Sequence, residues 1–317
     1  TNGYGLRERM FGNIARLGKL GSMFAPFSNW ALRSEGIKDL LERYAGVDRR
    51  RDLPPFASQT FAQWFRARGG SPETERGEVL LFADTFTNYN HPELGRDAVT
   101  VLEALGYQVI VPRVKCCGRP MLSKGMMDRA KANARANVDS VYPFVERGAR
   151  LVGLEPSCIL TFSDDYVDLL GGGDVQVAAV ARSTMLVEQF VQYAIEEEGA
   201  VLELDGSRLP YKILLHGHCH QKALVGTRPA MDVLSSIRGC ETVEIDSGCC
   251  GMAGAFGFEA EHYDISMKIG EQTLFPAIRQ QQGEFVVVAE GVSCRQQIEH
   301  GTGKRAMHLV EALAAAL

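Results

Sequence analysis

The sequence predicts an α/β protein made of two tandem, pseudo-repeated parallel-sheet units behind a helical N-terminal extension. Two observations predict it. Short apolar runs alternate with longer stretches of helical periodicity, the pattern of parallel strands covered by helices. Three landmarks then recur at nearly one spacing: Thr85 with Cys219, Cys116 with Cys249, and Cys158 with Cys294 are 134, 133 and 136 residues apart. A repeated offset of this size marks a duplicated unit.

Residues 1–75 read as the extension, with helical periodicity in "LRERMFGNIARLG" and a close at "DRRRDLPPF". The first unit, 76–204, opens on the strand "VLLF", continues through the helix "ELGRDAVTVLEALG" that stops at Gly106, and enters the strand "YQVIVP". After Cys116-Cys117-Gly118 come a long helix over "MMDRAKANARANVDSVYPFVERG", the strand "ARLVGL", and a helix through "SCILTFSDDYVDLL". The segment "YAIEEEGAVLELDGSRLP" reads as the join. The second unit, 205–317, repeats the order as "YKILLHG", "MDVLSSIRG", "ETVEID", "AEHYDISMKIGEQTLFPAIRQ", "EFVVVAE" and "SCRQQIEHG".

A chain of 317 residues has room for two ordinary domains, and 45% hydrophobic with 23% charged residues is a soluble composition. It holds no run of 18 apolar residues and no apolar leader, so a cytoplasmic protein without a transmembrane segment is expected. Opening on Thr1 rather than Met suggests a piece cut from something longer. Residues 1–70 carry twelve Lys/Arg against six Asp/Glu, which leaves the rest near -11 within a total of -5. The basic segment suits an acidic partner or peripheral contact with an anionic membrane. Nucleic acid is not an expected partner of so acidic a remainder, and no nucleic-acid motif occurs.

Seven of the eight cysteines stand at the repeat landmarks, and Cys240 reads as a strand-edge thiol. In a cytosolic chain, metal or redox chemistry explains them better than disulfides. Cys219, the pair Cys249-Cys250 and Cys294 each follow a strand, and groups at the carboxyl ends of neighbouring parallel strands meet in one crevice. Four thiolates there make the ligand set of an iron-sulfur cluster (4Fe-4S) or of tetrahedral zinc. Gly251, Gly254 and Gly257 would let backbone pass close to the sulfurs. The first unit keeps Cys116, Cys117 and Cys158 but has Thr85 in place of the fourth, which makes it either a degenerate, vestigial site or one completed by His91 or Asp84. In "HGHCH", alternation would set His218 and His220 on the side opposite Cys219 if the strand continues, so the two do not both join Cys219 at one metal and either serves as a neighbour or proton carrier. "GMAGAFG" does not match a dinucleotide loop, and no phosphate-binding GxxxxGK[ST] is present.

Both units resemble the cysteine-rich CCG domain, which occurs in tandem in heterodisulfide reductase, in the iron-sulfur subunits of glycolate oxidase and anaerobic glycerol-3-phosphate dehydrogenase, and in lactate-utilisation proteins. "EPSC", "GHCHQKAL", "GCCGMAGAFGFE", "EHYDISMKIGE" and "ERMFGNIARLGKLG" resemble, more closely, the C-terminal part of fused FAD-linked dehydrogenases of D-2-hydroxyacids such as D-lactate, glycolate and D-2-hydroxyglutarate. The resemblance implies an electron-transfer module that takes electrons from a flavin domain or flavoprotein partner carrying FAD and gives them to a quinone, a cytochrome or another acceptor. Glu155 and Gly291 occupy the first position of the CxxC pair that disulfide-reducing members use, which argues against their double cluster. Two other readings stay open: a zinc-bound or dithiol domain reducing disulfides through Cys249-Cys250, and a structural docking module.

Overall fold

The computed structural model describes residues 3–317. Strands β1 (Glu78–Phe82), β2 (Gln108–Ile110), β3 (Arg150–Gly153) and β4 (Thr184–Leu186) form one parallel sheet in the order β2-β1-β3-β4. Strands β5 (Lys212–His216), β6 (Glu241–Glu244), β7 (Phe285–Ala289) and β8 (Ala306–Met307) form a second in the same order, β6-β5-β7-β8. The duplication is therefore one of topology as well as of motif. Strand β1 is apolar from Val79 to Phe82 because helices cover both its faces: Val79, Leu80 and Leu81 are fully buried.

In both sheets the strand order reverses between the first and third strands. The loops leaving their carboxyl ends part there and open a crevice. Thr85 and Cys158 follow β1 and β3; Cys219 and Cys294 follow β5 and β7. The CCG segments leave the edge strands β2 and β6.

The units pack reciprocally. The helix after β8, Leu309–Ala316, lies on helix Pro92–Ala104 of the first unit, and the helix after β4, Val187–Glu196, lies on helix Arg228–Ser235 of the second. One apolar core runs through this interface, with Leu102, Val191, Leu234 and Leu313 in it.

Three local departures from the sequence reading have plain causes. Strands β4 and β8 are additions to it, being three and two residues long, too short to show a period. The expected helix through "SCILTFSDDYVDLL" breaks into Pro156–Ile159, a 3-10 turn at Leu160–Phe162 and Asp165–Leu170, turning at Asp164 (φ -116°, ψ -85°). The expected helix over 260–280 splits at Thr273 (φ -144°, ψ -48°) into Tyr263–Gln272 and Leu274–Arg279. Pro276 has no N-H to continue the ladder across that break.

The extension is tied into the crevice rather than appended. Helix Leu6–Gly12 packs on Arg119–Leu122 and helix Ile14–Met23 on Thr85–Tyr89, both in the first unit. On the other side Asp48 N-H donates to Phe258 O (2.8 Å) and Ala260 N-H to Gly46 O (2.9 Å) in the second. Among the described residues, no helix is long and apolar enough to cross a membrane.

Candidate metal centre

The crevice encloses a cavity of about 350 Å³. Cys219, Cys249, Cys250 and Cys294 line it from the second unit, Cys158 from the first, and Phe11, Ile14 and Leu53 from the extension. Its four second-unit sulfurs neighbour one another in turn, a row in contact order from Cys219 through Cys249 and Cys250 to Cys294. Cys294 Sγ is 3.4 Å from Cys250 Sγ, and the Cys249 thiol is hydrogen-bond neighbour to both Cys250 and Cys219. Within the row, Cys249 and Cys294 are pulled down by hydrogen bonds from the adjacent thiols, while Cys219 and Cys250 are pushed up by the thiolates beside them. A metal would displace the remaining protons.

Backbone and imidazole groups surround this row. Gly251 N-H donates to Cys249 Sγ at 3.3 Å. His216, at the end of β5, bonds Ser247 Oγ through Nδ1 (2.7 Å), which turns the ring toward Cys250 and Cys294, with all three ligand atoms within 4.8 Å of one another. His216 Nε2 is buried without a hydrogen-bond partner among the described residues. Arg51, 4% exposed, reaches in from the extension to Gly257 O (2.8 Å), Gln297 Oε1 (2.6 Å) and Ser266 Oγ (2.9 Å), bracing the CCG loop from below.

The first unit repeats the row with different neighbours. Cys116 bonds Cys117, Cys117 bonds Cys158, and the Thr85 hydroxyl takes the place of the fourth thiol beside Cys116. Cys117 lends Cys158 a hydrogen bond, yet burial and the charges of Asp84 and Glu155 push the Cys158 thiol up to about 12. Asp84 stands where the second unit has His218, and Glu155 where it has Gly291, so negative groups face these thiols and thiolates are disfavoured.

A cysteine-rich domain model for CCG domains matches the chain twice, over residues 82–163 and 213–299. The chain belongs to the CCG cysteine-rich family. One subunit of anaerobic glycerol-3-phosphate dehydrogenase from Escherichia coli K12 is 32% identical over 98% of this chain and 77% of that protein. D-2-hydroxyglutarate dehydrogenase of the same strain is 28% identical over 97% of the chain but only 30% of its own length. Lactate utilization protein A of an Exiguobacterium strain is 26% identical over 74% of the chain and 96% of that protein.

The CCG glycines differ in what they do. Gly118 and Gly251 hold the same left-handed backbone, φ +93° and +97°. A Cβ at 251 would lie 2.3 Å from Ser266 O. Gly254 (φ +66°) lines the cavity in open space. Gly257 departs from the expectation of a cluster-facing glycine: a Cβ there would meet Met252 Sδ at 2.5 Å and Ser266 Oγ at 2.7 Å, so it serves close packing.

The histidines and Asp84 have other partners. The strand ends at His216, so side-chain alternation does not extend to His218 and His220; their rings stack with centroids 5.5 Å apart. His218 caps helix Cys219–Leu224, its Nδ1 accepting from His220 N-H (3.1 Å). His220 meets Arg119, which also forks onto Asp165 at 2.6 and 2.7 Å, and burial lowers the imidazole to about 4, keeping it neutral. Asp84 caps helix Thr85–Tyr89, accepting from Phe86 N-H, Thr87 N-H and the Thr87 hydroxyl. His91 Nδ1 faces Glu93 at 3.1 Å. Asp84 is thus engaged as a helix cap and His91 as a partner of Glu93, and among the described residues no group of ligand atoms within 4.8 Å joins either to the three first-unit thiols. Sequence reasoning missed His216 and Arg51. The "HGHCH" string held the signal for His216, while Arg51 lies 206 residues from the loop it braces and left none.

Proposed function

We propose that this chain is the iron-sulfur, electron-transfer part of a flavin-linked dehydrogenase, with one four-cysteine centre held by Cys219, Cys249, Cys250 and Cys294. The observation that carries it is the row. Tetrahedral zinc with Zn-S near 2.3 Å needs its four sulfurs about 3.8 Å apart in every pair. Among the described residues, the ligand atoms that fall within 4.8 Å of one another do not include these four sulfurs as a group. Four thiols lining a cavity of about 350 Å³ leave room for a cluster of several metal atoms. In the tautomer protonated at Nε2, His216 offers its N-H to the neighbouring Cys294 sulfur, and thiolate is the donor type such a cluster takes.

When bound, the cluster accepts and releases single electrons. The protein's own groups hold four thiolates, exclude water with Phe11, Leu53 and Phe258, and place N-H groups against the sulfurs. Cys219 is the exposed member of the row and gives the site an outer edge for electron exchange. Glycerol 3-phosphate, 2-hydroxyglutarate and lactate, the compounds in the relatives' names, each carry a secondary alcohol. A flavin in a partner subunit or in a further part of the same polypeptide would oxidise such an alcohol. It would then pass electrons through Cys219 toward a quinone or cytochrome. Within this reading, residues 76–204 form the metal-free unit, 205–317 the loaded one, and 1–75 the docking element.

The extension supports contact with an anionic lipid surface. Met23, Phe24, Phe27 and Trp30 are exposed on helices Ile14–Met23 and Ala25–Arg33 and at the turn between them, Phe27 by 75% and Trp30 by 66%. Arg16, Lys19 and Arg33 share those helices. Aromatic side chains beside cations are the pattern of an interfacial helix. Spectroscopy of anaerobically prepared protein tests the centre: a brown, electron-paramagnetic reduced state is expected, and its loss in Cys250→Ser and Cys294→Ser but not in Cys116→Ser. A colourless protein would contradict the reading.

A further inference from the structure

The seam between the units buries carboxyl groups that the cysteine centre does not use. Glu188 enters from helix Val187–Glu196 and Glu290 from the end of β7, each 1% exposed. Their carboxyl groups are hydrogen-bond neighbours. Glu188 Oε1 accepts from Gln221 Nε2 at 2.7 Å. Glu188 Oε2 and both oxygens of Glu290 have no hydrogen-bond donor among the described residues. Two ionised carboxylates offer only acceptors, so a buried contact between them calls for a proton. Burial raises Glu188 to about 6, and burial together with the Glu188 charge raises Glu290 well above the carboxylate range.

Glu290 places the pair beside a small cavity that lies between the outer cleft and the centre. Glu290 lines a cavity of about 10 Å³, the size of one water, with Asp84, Glu155, His91, His308 and Arg295. His91, Val292 and Arg295 also line an open cleft of about 700 Å³ on the outside. Glu155 and Val292 also line the cysteine cavity on the inside. Gly291, bonded to Glu290, lies against the centre, since a Cβ on it would be 3.2 Å from Cys294 Sγ. Of the groups facing the small cavity, burial lowers His308 to about 3 and keeps it neutral; burial also raises Asp84 and Glu155, and Arg295 is the facing cation.

Resting on the electron-transfer reading, we propose that the Glu188–Glu290 pair shares one proton at neutral pH and takes up a second from the cleft when the cysteine centre is reduced. One electron from a one-electron donor, reduced flavin or dithionite in the assay, goes to the centre. One proton from water goes to the ionised carboxylate, forming one O-H bond, and the pair becomes neutral as the centre becomes more negative. The added charge at the centre favours the neutral pair, and the link is reciprocal.

The test uses the full chain and the variants Glu188→Gln, Glu290→Gln and the double variant, which keep the side-chain shape. Infrared spectra of metal-free protein at pH 7 should show a buried carboxylic acid band that Glu290→Gln removes. Redox titration of the centre should give a midpoint falling with pH, toward about 59 mV per unit for a one-electron couple, and flat in the double variant. A raised carboxyl pKa contributes stability that is full below the unfolded value and is lost as pH rises through the folded one. The wild-type thermal midpoint should therefore fall between about pH 5 and 7 more steeply than that of the double variant, which also shows whether the variant folds. A flat wild-type potential, or a slope that survives the double substitution, overturns the coupling. A chain with no one-electron couple overturns the electron-transfer reading and the coupling with it, while the infrared band still decides the shared proton separately.

Discussion

A methyl group at residue 251 would lie 2.3 Å from the Ser266 carbonyl oxygen, on a backbone with φ +97° that alanine disfavours. Gly251→Ala should therefore cost about 2–4 kcal/mol in chemical denaturation, from backbone strain and the displaced loop together. Below the same loop, Arg51 donates to three acceptors at once, and Arg51→Met would leave Gln297 Oε1 and Gly257 O short of a donor, while Ser266 Oγ would keep only Gln297 Nε2. The expected loss is about 2–4 kcal/mol, with lower iron retention on gel filtration. Thr85 offers the converse experiment. Its hydroxyl sits beside Cys116 as Cys219 sits beside Cys249. Thr85→Cys should supply a fourth thiol without moving the backbone, yet add little iron, because Asp84 and Glu155 still oppose thiolates there. A doubling of bound iron would show that ligand count, not charge, silences the first unit.

At the scale of elements, helices Ile14–Met23 and Ala25–Arg33 set an apolar face against solvent. Phe27→Ala with Trp30→Ala should abolish flotation on vesicles containing anionic lipid and leave the thermal midpoint unchanged, since neither ring is buried. Flotation that survives the pair of substitutions would remove the lipid surface as the partner. Strands built on a continuous apolar run are legible in the sequence: β1, β5 and β7 are such runs, and the sheet explains their burial. Strands β4 and β8 are not, because their residues pair only through non-local register with β3 and β7. The two broken helices are hidden for a related reason. Their apolar spacing persists across Asp164 and Thr273, while the backbone turns at those residues.

For the whole molecule, duplication makes the fold legible and asymmetry makes the function. The repeat in Cys, CCG and Cys landmarks points to twin parallel sheets and to the convergence of Cys219, Cys249, Cys250 and Cys294, since both follow from strand order. What surrounds the sulfurs is not legible in this way. His216 stands where Phe82 stands in the first unit, His218 where Asp84 stands, and Arg51 arrives from a segment outside the repeat. Such neighbours depend on three-dimensional proximity and leave no periodic trace. On the proposed function, each chain carries one cluster, held by the second unit. Iron, zinc and acid-labile sulfide assayed on the same anaerobically purified full chain test it most directly. About four iron and four sulfide per chain are expected, with no stoichiometric zinc and the loss of all iron in Cys294→Ser. One zinc per chain with neither iron nor sulfide would contradict it.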